Sequence, residues 1–92
     1  MLITEILKIY NRLIGFEGHK SIAGTVMKQG VPDASMVRCY EKASGLMVAQ
    51  VRSAEDGTYQ FFGLSENYKY FIVSFDSFLQ FNAVIQDNVV PK

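Results

Sequence analysis

The sequence predicts an all-β domain of six or seven short strands with a short amino-terminal helical arm. Three observations predict it. Beyond residue 20 polar and apolar residues alternate at the two-residue period of a strand, and turn signals recur about every ten residues. The first fourteen residues instead place apolar side chains at helical spacing. We therefore predict an arm and linker over residues 1–19 and a β-sandwich over residues 20–92.

Length and composition limit the function. The chain has 92 residues, enough for one domain, and nine basic residues balance nine acidic ones. A formal net charge of zero makes nucleic acid a poor partner. Hydrophobic residues make up 49% and aromatic residues 13%, which is typical of a packed core or an assembly surface. No apolar run is long enough to span a membrane, and residues 1–14 lack a secretory leader pattern.

The arm is predicted as an amphipathic helix over residues 2–14, with Thr4 near its start and Gly15 after its end. A strand is the competing interpretation, because isoleucine-rich runs also suit β structure. The glycines of the segment 15–20 indicate a linker between the arm and the β-sandwich. An arm of this length is marginal as a free helix, so it packs on its own domain or anchors to a neighbour.

The strands are predicted in order between turn signals. Breaks fall at 30–33, 43–45, 56–57 and 66–67, and the predicted strands are 21–27, 36–42, 46–52, 58–62, 68–75 and 82–90. The most informative segment is Ser53–Leu64, where Asp56-Gly57 predicts a tight turn and the residues after it alternate polar and aromatic. Its inward residues are predicted to be Tyr59 and Phe61.

Catalytic chemistry has little support in the sequence, and we predict that the protein is not an enzyme. His19 is the only histidine and lies in the predicted linker without a nucleophile beside it. Cys39 is the only cysteine and shares a strand face with Val37. A buried core thiol is therefore favoured over a reactive one, and no internal disulfide can form.

Metal binding and cofactor binding are not predicted. A few acidic and amide side chains could gather at one end of the domain as ligands for a hard cation such as calcium. Their spacing matches no dedicated loop, and such residues are ordinary turn formers. The candidate cation ligands are Glu55, Asp56, Asp76, Asn82, Asp87 and Asn88.

The order of several segments resembles the carboxypeptidase-regulatory-like or prealbumin-like family of Ig-like β-sandwiches. The similar segments are Ile22–Val26, Gly30–Ala34, Val37–Tyr40, Ser44–Leu46 and Ser53–Phe61. The resemblance implies a positive φ at Gly57 and a Leu64 that closes one end of the sandwich. The sequence departs from the family at Glu66-Asn67, where the family has Pro-Gly.

The carboxyl-terminal segment resembles the ending of small virion proteins of tailed bacteriophages. The similar residues are Ser74–Asp76 and Phe81–Pro91. The resemblance implies a non-enzymatic structural protein of the phage particle, as a head decoration or a tail or fibre attachment. Its location would then be the virion, after synthesis in the host cytoplasm. Its partners would be other virion proteins, in a homo-oligomer or symmetric array.

The interface is predicted on the arm and on aromatic residues near the carboxyl terminus. Phe62, Phe71 and Phe75 also fall on outward positions. Outward aromatic residues of this kind have three alternative interpretations: they contact a partner, they lie under the arm, or they stack on sugars. The predicted interface residues are Ile3, Ile6, Leu7, Tyr10, Leu13, Phe78 and Phe81.

Two other function classes stay open at this point. A carbohydrate- or cell-surface-binding module would use exposed aromatics and amides together, although the sequence has no tryptophan. An accessory domain of a larger enzyme complex is the second alternative.

Overall fold

A computed structural model describes residues 2–28, 31–32, 34–75 and 82–92. One helix precedes eight strands within these residues: α1 Leu2–Ile14, β1 Glu17–Thr25, β2 Met27–Lys28, β3 Val31–Pro32, β4 Met36–Glu41, β5 Met47–Arg52, β6 Thr58–Leu64, β7 Tyr70–Phe75 and β8 Asn82–Val89. The predicted all-β fold with an amino-terminal helix is confirmed, and the competing strand over residues 2–14 is wrong. The predicted break at 30–33 lies partly outside the described residues.

The strands form two main antiparallel sheets. One has four strands in the order β5-β4-β7-β8, and the other pairs β1 with β6. The two-residue strands β2 and β3 pair with each other. Within the described residues β5 and β8 are therefore the two edges of the larger sheet.

One hydrophobic core joins the two sheets. The smaller sheet contributes Ile22, Tyr59, Phe61 and Leu64, each buried. Tyr59 and Phe61 stand at alternating positions, whereas Leu64 follows three residues after Phe61, where the register with β1 shifts on both sides of Lys20. The larger sheet contributes residues that are 2% exposed or less, namely Val37, Cys39, Val48, Tyr70 and Ile72. The predicted core positions of Tyr59, Phe61 and Cys39 are confirmed, and Leu64 is buried as well.

The turn at Asp56-Gly57 has the predicted geometry. Gly57 has a φ of 84°, which is a left-handed conformation that glycine adopts without steric cost. Asp56 Oδ1 accepts hydrogen bonds from the Thr58 backbone N–H at 3.0 Å and from its hydroxyl at 2.7 Å. The Asp56 side chain therefore holds the first residue of β6 in place.

The predicted linker over residues 15–20 is wrong for its last four residues, 17–20. Strand β1 begins at Glu17, and both Glu17 and Lys20 pair with Leu64 of β6. Phe16 between helix and strand is buried, and its ring meets the Tyr68 ring edge-on at 4.7 Å between centroids. The helix is thus joined to the sheet through a buried aromatic residue and one turn residue, Gly15.

Candidate functional site

Helix α1 has two apolar faces with different surroundings. Leu7, Asn11 and Ile14 follow helical spacing and are half-buried, and Ile14 packs against the core. A second row, here called the outer stripe, comprises Ile6, Ile9, Tyr10 and Leu13. These four side chains are 54%, 50%, 40% and 78% exposed. The helix therefore buries one face on its own domain and leaves the other apolar face uncovered by it.

The helix is held to the larger sheet by a hydrogen bond as well as by packing. Asn11 Nδ2 donates to the Val48 carbonyl oxygen at 2.6 Å. The backbone N–H of Phe16 donates to the Asn11 carbonyl oxygen at 2.9 Å, which closes the end of the helix. Self-packing of the arm is thus observed, whereas anchoring to a neighbour stays a prediction that concerns the outer stripe.

A groove of about 600 Å³ runs between α1 and strands β5 and β6. Its floor includes Val48 and Val51 of β5 and Phe62 of β6, and Phe62 is 71% exposed. Ile9 lines the groove as well as belonging to the outer stripe. Ile9 therefore stands at the helix side of a groove whose sheet side includes apolar residues of β5 and β6.

Charged residues of both signs border this surface. Glu5, Lys8 and Arg12 line the groove from the helix, and Glu17 lines it from β1. Lys8 Nζ lies 3.5 Å from Glu5 Oε1, and both side chains are largely exposed. Exposed pairs of this kind contribute little to stability, so exchanging one for a contact with a partner costs little.

The predicted interface residues divide into three groups. Ile6, Tyr10 and Leu13 are exposed on the outer stripe, while Leu7 is half-buried at the groove. The side chain of Ile3 and the whole of Phe78 and Phe81 lie outside the described residues. The sequence prediction did not include Ile9, although its position three residues after Ile6 and four before Leu13 is a signal that could have identified it.

Other outward aromatic side chains lie on the outer face of the larger sheet. The Tyr40 and Phe71 rings are stacked at 5.0 Å between centroids and 8° between planes. Arg38 lies 4.6 Å from the Phe75 ring centroid and donates from Nε to Gln50 Oε1 at 2.8 Å. These side chains cover one another, which leaves them half-buried rather than fully exposed.

Cys39, the candidate nucleophile, and His19, the candidate base, lie in different environments. Cys39 is fully buried, and that burial raises the pKa of its thiol to about 12. His19 lies on β1 and is exposed, not in a linker. Within the described residues no group of three His, Cys, Asp or Glu side chains is arranged to hold a metal ion, and Asp76 and the side chain of Asn82 lie outside those residues.

Glu41 is the buried acidic residue of the larger sheet, and it has a structural role. Its carboxylate accepts hydrogen bonds from the backbone N–H groups of Ala43 at 2.7 Å and Ser44 at 3.0 Å. Burial acts to raise the pKa of Glu41, but these hydrogen bonds outweigh it and the pKa is lowered. The carboxylate therefore stays ionised and fixes the turn between β4 and β5.

No helix in the described part of the chain has both the length and the apolar character needed to cross a membrane. No protein-family model, curated protein or solved structure matches this chain, so its function is inferred from the outer stripe and the groove.

Proposed function

We propose that this chain is a non-enzymatic structural protein that acts through protein–protein contacts made by helix α1. The outer stripe carries this proposal, because it is an apolar helix face that the domain itself does not cover. The helix is also fixed to β5 through Asn11, so the stripe is presented in one orientation. A fixed helix face binds a partner without first having to be ordered.

We further propose that the setting is a bacteriophage particle, with the protein as a head decoration or a tail or fibre attachment. The support is the resemblance of Ser74–Asp76 and Phe81–Pro91 to small virion proteins. The proposed fold is the Ig-like sandwich of the carboxypeptidase-regulatory-like or prealbumin-like family. The partners are other virion proteins, and the site of action is the virion after synthesis in the host cytoplasm. Symmetry repeats a small contact many times, so each contact can be weak.

The test is incorporation of Leu13→Asp into particles. Leu13 is the most exposed residue of the outer stripe, so a charge there disrupts a contact without disturbing the core. Leu7→Asp is a poorer choice, since Leu7 is half-buried and the variant could unseat the helix. Copy number per purified particle, measured by quantitative mass spectrometry, is expected to fall at least tenfold. Absence of the wild-type chain from particles overturns the phage setting.

The matched control is Met27→Asp. Met27 is 59% exposed on β2, outside both α1 and the segment Phe81–Pro91. This variant places the same charge on an equally apolar position away from α1, and we expect it to be incorporated normally. Equal incorporation of Leu13→Asp and the wild type overturns the role of the outer stripe.

The second candidate function is binding of a carbohydrate or a cell surface. It is favoured by the half-exposed Tyr40 and Phe71 rings beside the Arg38–Gln50 pair. However, the two rings stack on each other, which uses one face of each ring that a sugar would otherwise contact. Saturable glycan binding that Tyr40→Ala abolishes and Leu13→Asp leaves intact would support this function instead.

A further inference from the structure

We infer that the outer stripe binds the α1 helix of a second copy of this chain, with the two helices antiparallel about a two-fold axis. The inference rests on the proposed function and deepens it, because it names the partner and the geometry of the contact. A two-fold contact uses the same surface on both copies and closes on itself.

The spacing of the outer stripe is that of a helix–helix seam. Ile6, Ile9 and Leu13 follow one another at intervals of three and four residues, which is the repeat that interlocks two helices. In the sequence Leu2 stands one heptad before Ile9 and continues the repeat. Tyr10 lies beside the seam on the side nearer to the half-buried face.

The charges select the antiparallel direction. Glu5 and Arg12 are one heptad apart and lie on the same flank of the seam. In an antiparallel pair this flank of one helix meets the same flank of the other. Glu5 of each copy then faces Arg12 of the other copy, which gives two such charge pairs in the dimer. A parallel pair would instead set Glu5 against the opposite flank, where the sequence has Ile3 and Tyr10.

The contact is expected to be weak in solution. Four partly exposed side chains cannot bury the roughly 800 Å² per partner of a standard interface. We therefore expect a dissociation constant in roughly the high micromolar range. Such an affinity suits a particle, where neighbouring copies are held at high local concentration.

The test is oxidative cross-linking of the full chain carrying one new cysteine. When Glu5 of one copy lies opposite Arg12 of the other, the two-fold axis passes midway between these positions, between residues 8 and 9. Ile9→Cys then lies nearly opposite itself, whereas the two copies of Leu13→Cys are about 13 Å apart along the helices. Since a disulfide requires Cα atoms within about 7 Å, we expect Ile9→Cys to form covalent dimers and Leu13→Cys to form at most a trace. The native Cys39 is fully buried and contributes no background.

Charge reversal tests the direction independently. Glu5→Arg and Arg12→Glu each place like charges together, and we expect each to weaken association by roughly three- to tenfold in sedimentation equilibrium. The double variant exchanges the two charges and is expected to restore association. Glu55→Arg is the matched control, because it reverses an exposed charge beside the Asp56-Gly57 turn, outside α1. Far-UV circular dichroism verifies that each variant keeps its helix.

The two proposals fail in different ways. Equal cross-linking of Ile9→Cys and Leu13→Cys, or a double variant as weak as the single ones, overturns the antiparallel pairing. A wild-type chain that stays monomeric to millimolar concentration overturns the second copy as partner. If Leu13→Asp still lowers incorporation into particles in these cases, the proposed function stands with a different partner. If it does not, the proposed function fails as well.

Discussion

Asn11 on helix α1 donates a hydrogen bond to the carbonyl oxygen of Val48 on the outer edge of β5, at 2.6 Å. An edge strand that exposes its backbone groups is a template for pairing with other chains, and proteins commonly cover such edges. Here the helix covers β5 with its half-buried face. The same contact turns the other apolar face of the helix toward solvent. The packing of α1 on β5 therefore both covers the edge of β5 and exposes the outer stripe.

Replacing Asn11 should loosen the helix. Asn11→Ala removes the hydrogen bond to Val48 and is expected to lower the free energy of unfolding by about 1 kcal/mol. Asn11→Asp is expected to cost more, about 2–3 kcal/mol, because a carboxylate oxygen then faces the Val48 carbonyl oxygen. Urea unfolding measures both, and hydrogen exchange of the α1 amides locates the change. The exposed neighbour Arg12→Ala is the control, and an equal loss in all three variants contradicts a specific role for this hydrogen bond.

Gly18 is expected to be intolerant of any side chain. A Cβ at this position would lie 2.5 Å from Ser65 Cα and 2.6 Å from the Leu64 carbonyl carbon, and backbone atoms cannot yield as a flexible side chain can. Gly18→Ala should therefore lower the free energy of unfolding by about 2–3 kcal/mol. Gly45→Ala is the comparison, since Gly45 has open space and only a positive φ of 73°, with a cost of about 1 kcal/mol. Equal costs in thermal unfolding would contradict close packing at Gly18.

Local periodicity was sufficient to predict the helix over residues 2–14 and the existence of the six longer strands, because both signals repeat within a few residues. It placed the start of β1 at residue 21, whereas the strand begins at Glu17. It was not sufficient at Gly18, since glycine there is needed for the approach of β6, which lies far along the chain. It also failed to separate Leu7 from Leu13. Helical spacing marks the apolar positions of both faces alike, and only the position of β5 decides which face is covered.

Glu41 should make the protein acid-sensitive. Its pKa is lowered from the usual 4.5, so the carboxylate contributes stability that is present above that value and lost as the pH falls through the lower pKa of the folded state. Glu41→Gln is expected to lower stability more at pH 7 than at pH 3, which flattens the acid side of the stability profile. Part of the slope remains, because hydrogen bonds from Thr58 and Lys42 lower the pKa values of Asp56 and Asp87.

The measurement is urea unfolding between about pH 3 and pH 7. Glu55→Gln removes the same charge from an exposed position beside the Asp56-Gly57 turn and serves as the control. Parallel profiles for the wild type and Glu41→Gln would show that the buried carboxylate does not stabilise the ionised state.

Cys39 should be unreactive in the folded protein. Because burial raises the pKa of its thiol from 9.0 to about 12, a thiol-specific reagent at pH 8 is expected to modify it only after unfolding. The same shift makes stability fall as the pH rises above about 9, where the thiol ionises first in the unfolded chain. With an aromatic disulfide as the reagent, each modified cysteine releases one aromatic thiol. The absorbance of that thiol, with and without urea, measures the modification. Rapid modification without urea would contradict the core position.

Removing the arm is expected to damage the domain, which differs from what a linker at residues 15–20 predicts. A chain that begins at Gly18 lacks Phe16, which is buried against Tyr68, and loses the helix that covers β5. Loss of a buried phenylalanine alone costs about 3 kcal/mol, and an uncovered edge strand favours aggregation. We therefore expect light scattering to show aggregates of the truncated chain, whereas Ile6→Ser/Leu13→Ser, with both changes on the outer stripe, stays folded and monomeric. A truncated chain that is a stable monomer would show that the helix is dispensable for the fold, and Phe16→Ala in the full chain would then test the aromatic contact separately.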